Sequence, residues 1–379
     1  MAVRPIRASD YEAVNALHRA VGWPERSFAG WRWLEDNPAR LALGAPAGWV
    51  VADDDDRPVA LLGNFVQRFQ LGERTLFGAT GFSIIVPPDQ KGASRSLIRA
   101  FLAQPGLFAR YTLNANARSA PLYGLFGLTP FPPRTHALKL SWPVDRAVLA
   151  QARLLRRLFG RLSAERAARL GERLMNRRLF AARPLRLPDD VEEVRDLSDA
   201  SDYAVFWTAL RGEDRLLADR SPALLRWRMA DPDQTLAPRL LACRRDGRIV
   251  ATALALVAKT NLIDAPALDI IDLVAMRGHE DALPRLARTL IANARGLGAA
   301  KVRLQVATPE LLDALDDVAA TARREGGWGH GHAIVDEALA PLWSPTPFDG
   351  DYAICARPVP LPARRRTPAR APVGRLSKA

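Results

Sequence analysis

The stretch Lys91–Ser96, reading KGASRS, places two cations, a glycine and two serines in front of the amphipathic run LIRAFLAQPG. A helix that opens on such a loop leaves its first amides without helical partners. Together with the axial dipole, those amides can receive an anion such as a phosphate. A second polar group sits in NANARSAPLYGLFGL, Asn114 to Leu128, where a strand ends at Asn116 and a helix carrying Tyr123 follows. The five histidines are His18, His136, His279, His330 and His332. GWGHGH is glycine-rich and reads as a mobile loop; its two histidines have no carboxylate or cysteine at ligand spacing, so no metal centre is expected. Cys243 and Cys355 are the only cysteines, too few for a disulfide framework, and both are read as buried thiols.

The elements that must position these groups show a hydrophobic fraction of 48% and a charged fraction of 25%, enough apolar surface for packed cores across 379 residues. No stretch approaches the roughly 18 uninterrupted apolar residues of a membrane span, and no apolar run follows MAVRPIRASD, so a soluble, unexported, cytoplasmic protein is expected. The expected order is a strand at residues 2–7, helices after Ser9 or Asp10 and after Phe28, a three-stranded antiparallel meander from Gly48 to Pro88, a helix, a strand, a helix ending at Gly127, and a last strand in THALKLSW.

The chain then writes parts of this pattern again. SFAGWRWLEDNP from Ser27 is answered by SPALLRWRMADP from Ser221, pairing Ser27 with Ser221, Ala29 with Ala223, Arg32 with Arg226, Trp33 with Trp227 and Pro38 with Pro232. ASDY recurs at Ala8 and Ala200, and VVADDDDRPVA from Val50 is echoed by LLACRRDGRIVA from Leu240. Echoes in one order, roughly 190 residues apart, indicate a duplicated domain and not a solenoid of short repeats.

Residues 1–142 resemble the GNAT-superfamily acyltransferases. The likeness is carried by VPPDQKGASRSL, Val86 to Leu97, and by Asn116, Ser119, Leu122, Tyr123, Gly127 and Leu128, which match the family's Asn-x-x-(Ala/Ser)-x-x-Leu-Tyr-x-x-x-Gly-Phe pattern with Leu128 in place of phenylalanine. The resemblance implies an α/β fold of two tandem domains, each a mostly antiparallel mixed sheet flanked by helices. It also implies an acetyl-CoA or other acyl-CoA co-substrate and transfer to an amine of a small molecule, sugar or peptide. Carried over residue by residue, it assigns the acyl carbonyl to Ile84, Ile85 and Val86, and the pyrophosphate to Lys91, Gly92, Ala93, Ser94, Arg95 and Ser96. Asn116 falls to the pantetheine or a bound water. Tyr123 falls to the general acid, its phenol protonating the departing thiolate. Ser94 and Ser96 stand where the family has glycines, so their Cβ atoms narrow the approach. Trp31, Trp33, Glu35 and His136 are candidates for the acceptor cleft; Trp33 and Trp227 also fit as core anchors, and His18 fits a structural place on the first helix. The resemblance leaves Glu35, Asp36 and His136 as candidates for the general base.

The second copy carries less chemistry. RGHED, Arg277 to Asp281, offers one glycine and two acids where phosphates would bind, and no tyrosine matches Tyr123. The expected domains are residues 1–145, a basic helical connector at 146–188, a degenerate copy at 189–357 and a disordered basic tail at 358–379. The formal charge of +13 resides in the connector and tail: ten arginines stand against two glutamates between residues 151 and 183, and seven bases with no acid run from Arg357. The folded bodies are therefore close to neutral, which argues against a nucleic-acid partner and leaves the connector and tail for acidic surfaces. Two further readings stay open: an aminoacyl transferase of the peptidoglycan-bridge type, and a non-catalytic GNAT-like binding protein.

Overall fold

The computed structural model describes residues 2–159, 164–176, 179, 183–259, 263–326 and 329–355. From the start of the chain, β1 (Ala2–Pro5) leads to α1 (Tyr11–Ala20), α2 (Phe28–Glu35) and α3 (Pro38–Leu43). The meander β2 (Gly48–Ala52), β3 (Pro58–Leu71) and β4 (Arg74–Ile85) follows, then α4 (Ala93–Leu102), β5 (Ala109–Ala115), α5 (Ala120–Leu125) and β6 (Thr129–Pro130). β7 (Lys139–Pro143) enters the connector, α6 (Arg146–Phe159) and α7 (Ala164–Gly171), which runs into a π-helical turn at Glu172–Asn176.

The second half repeats the order. It comprises β8 (Val191–Glu193), α8 (Asp202–Arg211), β9 (Leu217–Ala218), α9 (Pro222–Met229), β10 (Arg239–Arg245), β11 (Arg248–Ala258), β12 (Ala267–Ala275), α10 (Ala282–Ala294), β13 (Lys301–Leu304), α11 (Pro309–Thr321), β14 (Arg323–Glu325), β15 (His330–Val335) and α12 (Tyr352–Cys355).

Two mixed sheets result, and each takes in, next to one end, a strand from the other half. The first runs β1-β2-β3-β4-β5-β15-β6 with β9 against β3; the second runs β14-β7-β13-β12-β11-β10-β8. β7, expected to close the first sheet, pairs with β13 (Leu140 opposite Leu304) in the second. The reverse exchange seats β15 on β5, with Ala333 opposite Tyr111. GWGHGH is thus no mobile loop where it is described. A Cβ on Gly331 would lie 2.1 Å from the carbonyl oxygen of Phe131, so glycine here admits a close strand approach. α11 stops at Thr321, and Arg323–Glu325 is taken up by the edge of β7.

The repeated residues now have physical roles. Ser27 caps α2 by accepting from the Gly30 amide at 3.0 Å, and Ser221 caps α9 from Leu224 at 3.4 Å. Trp33 and Trp227 stack on each other, 4.4 Å between centroids and 10° between planes, and the Trp33 indole donates to the Trp227 carbonyl at 2.8 Å. Arg26 lies over Trp33 and pairs with Asp231 and Asp233 of the other half. One hydrophobic cluster joins Phe69, Tyr111 and Phe131 to Phe206, Leu256 and Trp343, so the halves share a core. The connector packs Ala152, Leu155 and Met175 on Ile263, Ala265 and Ala300, while Arg153, Arg156 and Arg157 are exposed. Leu158, counted on the apolar stripe, is exposed as well. Arg161, Leu162, Arg177, Arg178 and the tail lie outside the described residues.

Truncating either stacked tryptophan to alanine should destabilise the chain by about 3–5 kcal/mol. The pair should show a coupling of about 0.5–1.5 kcal/mol in a double-mutant cycle read by urea unfolding. Strict additivity would place the two rings in separate cores.

Candidate functional site

β4 and β5 run parallel from Gly78 opposite Ala109 to Thr80 opposite Tyr111, and there their pairing stops. Both strands continue, so Gly81–Ile85 and Thr112–Ala115 face each other across a wedge in which backbone groups of the two inner edges lack a strand partner. On its other side β4 still pairs with β3 as far as Ile85 opposite Leu61, with a register shift between Leu61 and Gly63. Ser83 takes up that irregularity at φ 50°, in the left-handed region. The ring of Phe82 lies flat on Gly63, where any Cβ would come within 2.5 Å of it.

The wedge opens into a cavity of about 370 Å³ whose walls include Ser83, Ile84, Asn114, Asn116, Ser119 and Tyr123 from the first half and Lys259, Arg303 and Gln305 from the second. Tyr123 is 2% exposed and its hydroxyl lies 3.6 Å from where a Gly81 Cβ would stand. Among the described residues that hydroxyl has no hydrogen-bond partner. Burial, followed by the charge of Asp351, raises its pKa far above the usual phenol value, so it keeps its proton. Asn116 uses its side-chain oxygen locally, accepting from the amides of Arg118 (2.9 Å) and Ser119 (3.0 Å) to open α5. Ile84 lines the cavity; Ile85 is buried against Leu61 and Val86 packs on the core beneath α4.

The Lys91–Ser96 loop lies outside this cavity, at the N-terminus of α4. Gly92 is the N-cap residue at φ 86°, a conformation suited to glycine. Among the described residues the amides of Gly92 and Ser94 donate to no backbone carbonyl, whereas those of Ala93, Arg95 and Ser96 do. Ala93 is buried, and Lys91, Arg95 and Ser96 are exposed.

At its far end the cavity reaches the junction of the halves. Lys139 is buried and donates to the Gln305 carbonyl and to the Tyr352 hydroxyl at 2.6 Å, which itself donates to the Leu113 carbonyl at 2.7 Å. Burial pushes the Lys139 ammonium down to about 7, against the pull of Asp351 and with a smaller push from Arg303. Arg303 grips Asp269 through two bonds of 2.6 and 2.7 Å, and Lys259 donates to Asn176 of the connector at 2.8 Å.

Of the residues considered for the acceptor cleft, Trp31 lines the cavity and Trp33, Glu35 and His136 do not. Trp33 is held in its stack, Glu35 pairs with Arg32 at 3.1 Å, and His136 gathers with His330 and His332 at centroid separations of 6.1 to 6.5 Å. Among the described residues no group of histidine, cysteine or acid side chains is placed to hold a metal ion. His18, expected in a structural place on the first helix, is buried there and also lines the cavity from α1. Nothing local in HRAVG signals this, because Ser83, which meets it, lies 65 residues on.

The matching region of the second half is filled. β12 and β13 part after Ile270 opposite Leu304. There Arg220 grips Asp272 at 2.6 and 2.9 Å, Thr346 donates to Asp272 at 2.8 Å, and Phe348 covers the guanidinium.

No family model matches the chain, and no curated protein matches it in sequence. Solved structures do match in shape. A conserved protein of unknown function from Enterococcus faecalis V583, described as a probable N-acyltransferase, aligns with a TM-score of 0.50 at 10% identity, over 89% of this chain and 73% of that one. Saccharomyces cerevisiae N-myristoyltransferase with bound myristoyl-CoA and inhibitors aligns with a TM-score of 0.50 at 10% identity, over 88% and 79%. The chain shares the fold of these two structures. Its parted strands, β4 and β5, lie in the first of its two sheets.

The buried lysine generates a pH test. The folded pKa of Lys139 lies near 7 and the unfolded one near 10.5, so between them the unfolded chain holds a proton that the folded chain has released. Stability from this group therefore rises with pH across that window. In melts from pH 7 to 10, wild type should gain on Lys139→Met as pH increases; parallel curves would mean that Lys139 stays charged in the fold.

Proposed function

We propose that the protein is an acyl-CoA-dependent N-acyltransferase that uses the first half's wedge for the thioester and the junction of the halves for the amine. The observation that carries this reading is the unpartnered, protonated hydroxyl of Tyr123 inside the wedge where β4 and β5 part. An extended amide chain such as pantetheine would pair with the free inner edges of the two strands, as a further strand does. The free amides of Gly92 and Ser94 at the start of α4 suit the pyrophosphate, with Lys91 and Arg95 adding positive charge. Backbone groups of Ile84–Val86 would face the acyl carbonyl. Attack by the amine then expels the thiolate, and Tyr123 donates its proton to the sulfur.

An acetyl group is the simplest acyl load for this site, and a small-molecule or peptide amine is the acceptor that the cavity admits. The filled wedge of the second half supports a single acyl-CoA site per chain, with the second half walling the acceptor end through Lys259, Arg303 and Gln305.

Calorimetric titration with acetyl-CoA should give micromolar binding, about −8 kcal/mol, at one site per chain. Tyr123→Phe should keep that affinity while losing about 10²–10⁴-fold in the rate of thiol release with an amine present. Absence of binding at millimolar acetyl-CoA would reject the reading.

A further inference from the structure

We propose that Ser83 and His18 form the proton relay that deprotonates the acceptor amine, an inference that rests on the acyltransferase reading above. The His18 Nδ1 lies 2.9 Å from the Val14 carbonyl oxygen, and its Nε2 lies 3.1 Å from the Ser83 hydroxyl. A carbonyl oxygen only accepts, so Nδ1 carries the proton and Nε2 offers its lone pair to the Ser83 O–H. This is the polarity that a base acting through a hydroxyl requires. The imidazole is 5% exposed and both residues line the cavity, where Ser83 directly precedes Ile84 at the acyl end.

Ser83 occupies a conformation that serine adopts rarely, at φ 50°, where glycine would sit without strain. The backbone irregularity alone does not call for a side chain there. What the serine adds is a hydroxyl between the imidazole and the wedge.

The surroundings of His18 keep it a neutral acceptor at rest. Burial lowers its pKa first; the Val14 carbonyl pulls the other way, Arg26 lowers it further, and Glu25 raises it. Arg26 and Glu25 are the charged groups that face the ring from the segment between α1 and α2; Trp23 and Trp31 meet it with rings 6.3 and 5.7 Å away, and β4 presents Ser83. Once protonated, the imidazolium holds two donors against two oxygens, so the transferred proton has a defined place.

In the step itself the amine nitrogen forms a bond to the thioester carbonyl carbon and the carbon–sulfur bond breaks. The amine proton passes to the Ser83 oxygen as the Ser83 proton passes to the His18 Nε2, and the Tyr123 proton goes to the leaving sulfur. Return of the His18 proton and reprotonation of Tyr123 by solvent restore the site, leaving an amide and a free thiol. Ser83 is the catalytic residue that touches the amine, and His18 is a positioning residue that acts through it.

The test uses the full chain, acetyl-CoA and aniline, an amine that is uncharged across the range and whose ring suits the Trp23 and Trp31 wall, with thiol release followed from pH 6 to 9. Ser83→Gly keeps the left-handed backbone and removes only the hydroxyl. His18→Asn keeps a donor for the Val14 carbonyl and removes the titrating nitrogen. Each variant should bind acetyl-CoA as wild type does, lose about 10²-fold in kcat, and lose the acid limb of the kcat/KM profile that His18 imposes on wild type. The double variant should lose little more than either single one, since the two act as a unit. Acetyl-CoA bound with kcat in Ser83→Gly within about threefold of wild type and the acid limb intact would overturn the relay. So would bound acetyl-CoA with no thiol release from wild type at any pH. Failure of wild type to bind acetyl-CoA would instead remove the acyltransferase reading beneath it.

Discussion

The parting of β4 and β5 after Thr80 and Tyr111 is the constraint on which the site depends, because a sheet does not open without reason. Two adjacent strands that separate forfeit backbone hydrogen bonds, and the groups left behind must meet water or a ligand. The opening survives because each parted strand is held from outside. β3 pairs with β4 up to Ile85, and β15 pairs with β5 up to Ala115. Tyr352 adds a tie by donating to the Leu113 carbonyl, and Lys139 anchors Tyr352 in turn. Three of these holding elements, β15, Tyr352 and the Gln305 carbonyl under Lys139, come from the second half. The half with less chemistry of its own thus keeps the other half's wedge open.

The same opening has been resolved in opposite ways in the two copies. In the first, the space beyond the last paired residues stays free and is rimmed by groups with protons to exchange: Tyr123, Ser83 and His18. In the second, Arg220, Asp272, Thr346 and Phe348 occupy it with a fully buried ion pair and an aromatic cover. A buried guanidinium is tolerated only when its donors are satisfied, and the bidentate grip on Asp272 does this. Arg228 is less completely served. It lies between Phe65 and Phe348, is bonded by Gln67, and is held by burial at about 10, well below the usual guanidinium value. The polar interior of the second half therefore serves cohesion, and that of the first serves access.

Much of this was legible from residue patterns. The meander, the helices and the duplication could be read because strand alternation, caps and the Ser27–Trp33 and Ser221–Trp227 echoes are local or nearly local. The repeated tryptophans fit as anchors, although their meeting in one stack is a contact between the halves that no single segment encodes. Tyr123 and the α4 loop were found through a motif. The helical place of His18 was legible, but its contact with the cavity was not, because the Ser83 hydroxyl that it meets lies 65 residues away. β7 and β15 were assigned to the wrong sheet or to a loop for a related reason: a strand's own sequence specifies its faces, not which of two similar edges it will join. The glycines of GWGHGH looked like mobility, whereas Gly331 marks a close approach to Phe131.

The exchange of β7 and β15 also sets an order in time. As the chain emerges from the ribosome, β5 is complete at Ala115, yet the strand that covers its outer edge begins at His330. For more than half the length of the chain that edge has no permanent neighbour, and contacts so distant in sequence form late. The wedge is therefore finished only once residues as late as Tyr352 have been made, so a nascent first half carries Tyr123 and its motif before the cavity around them exists.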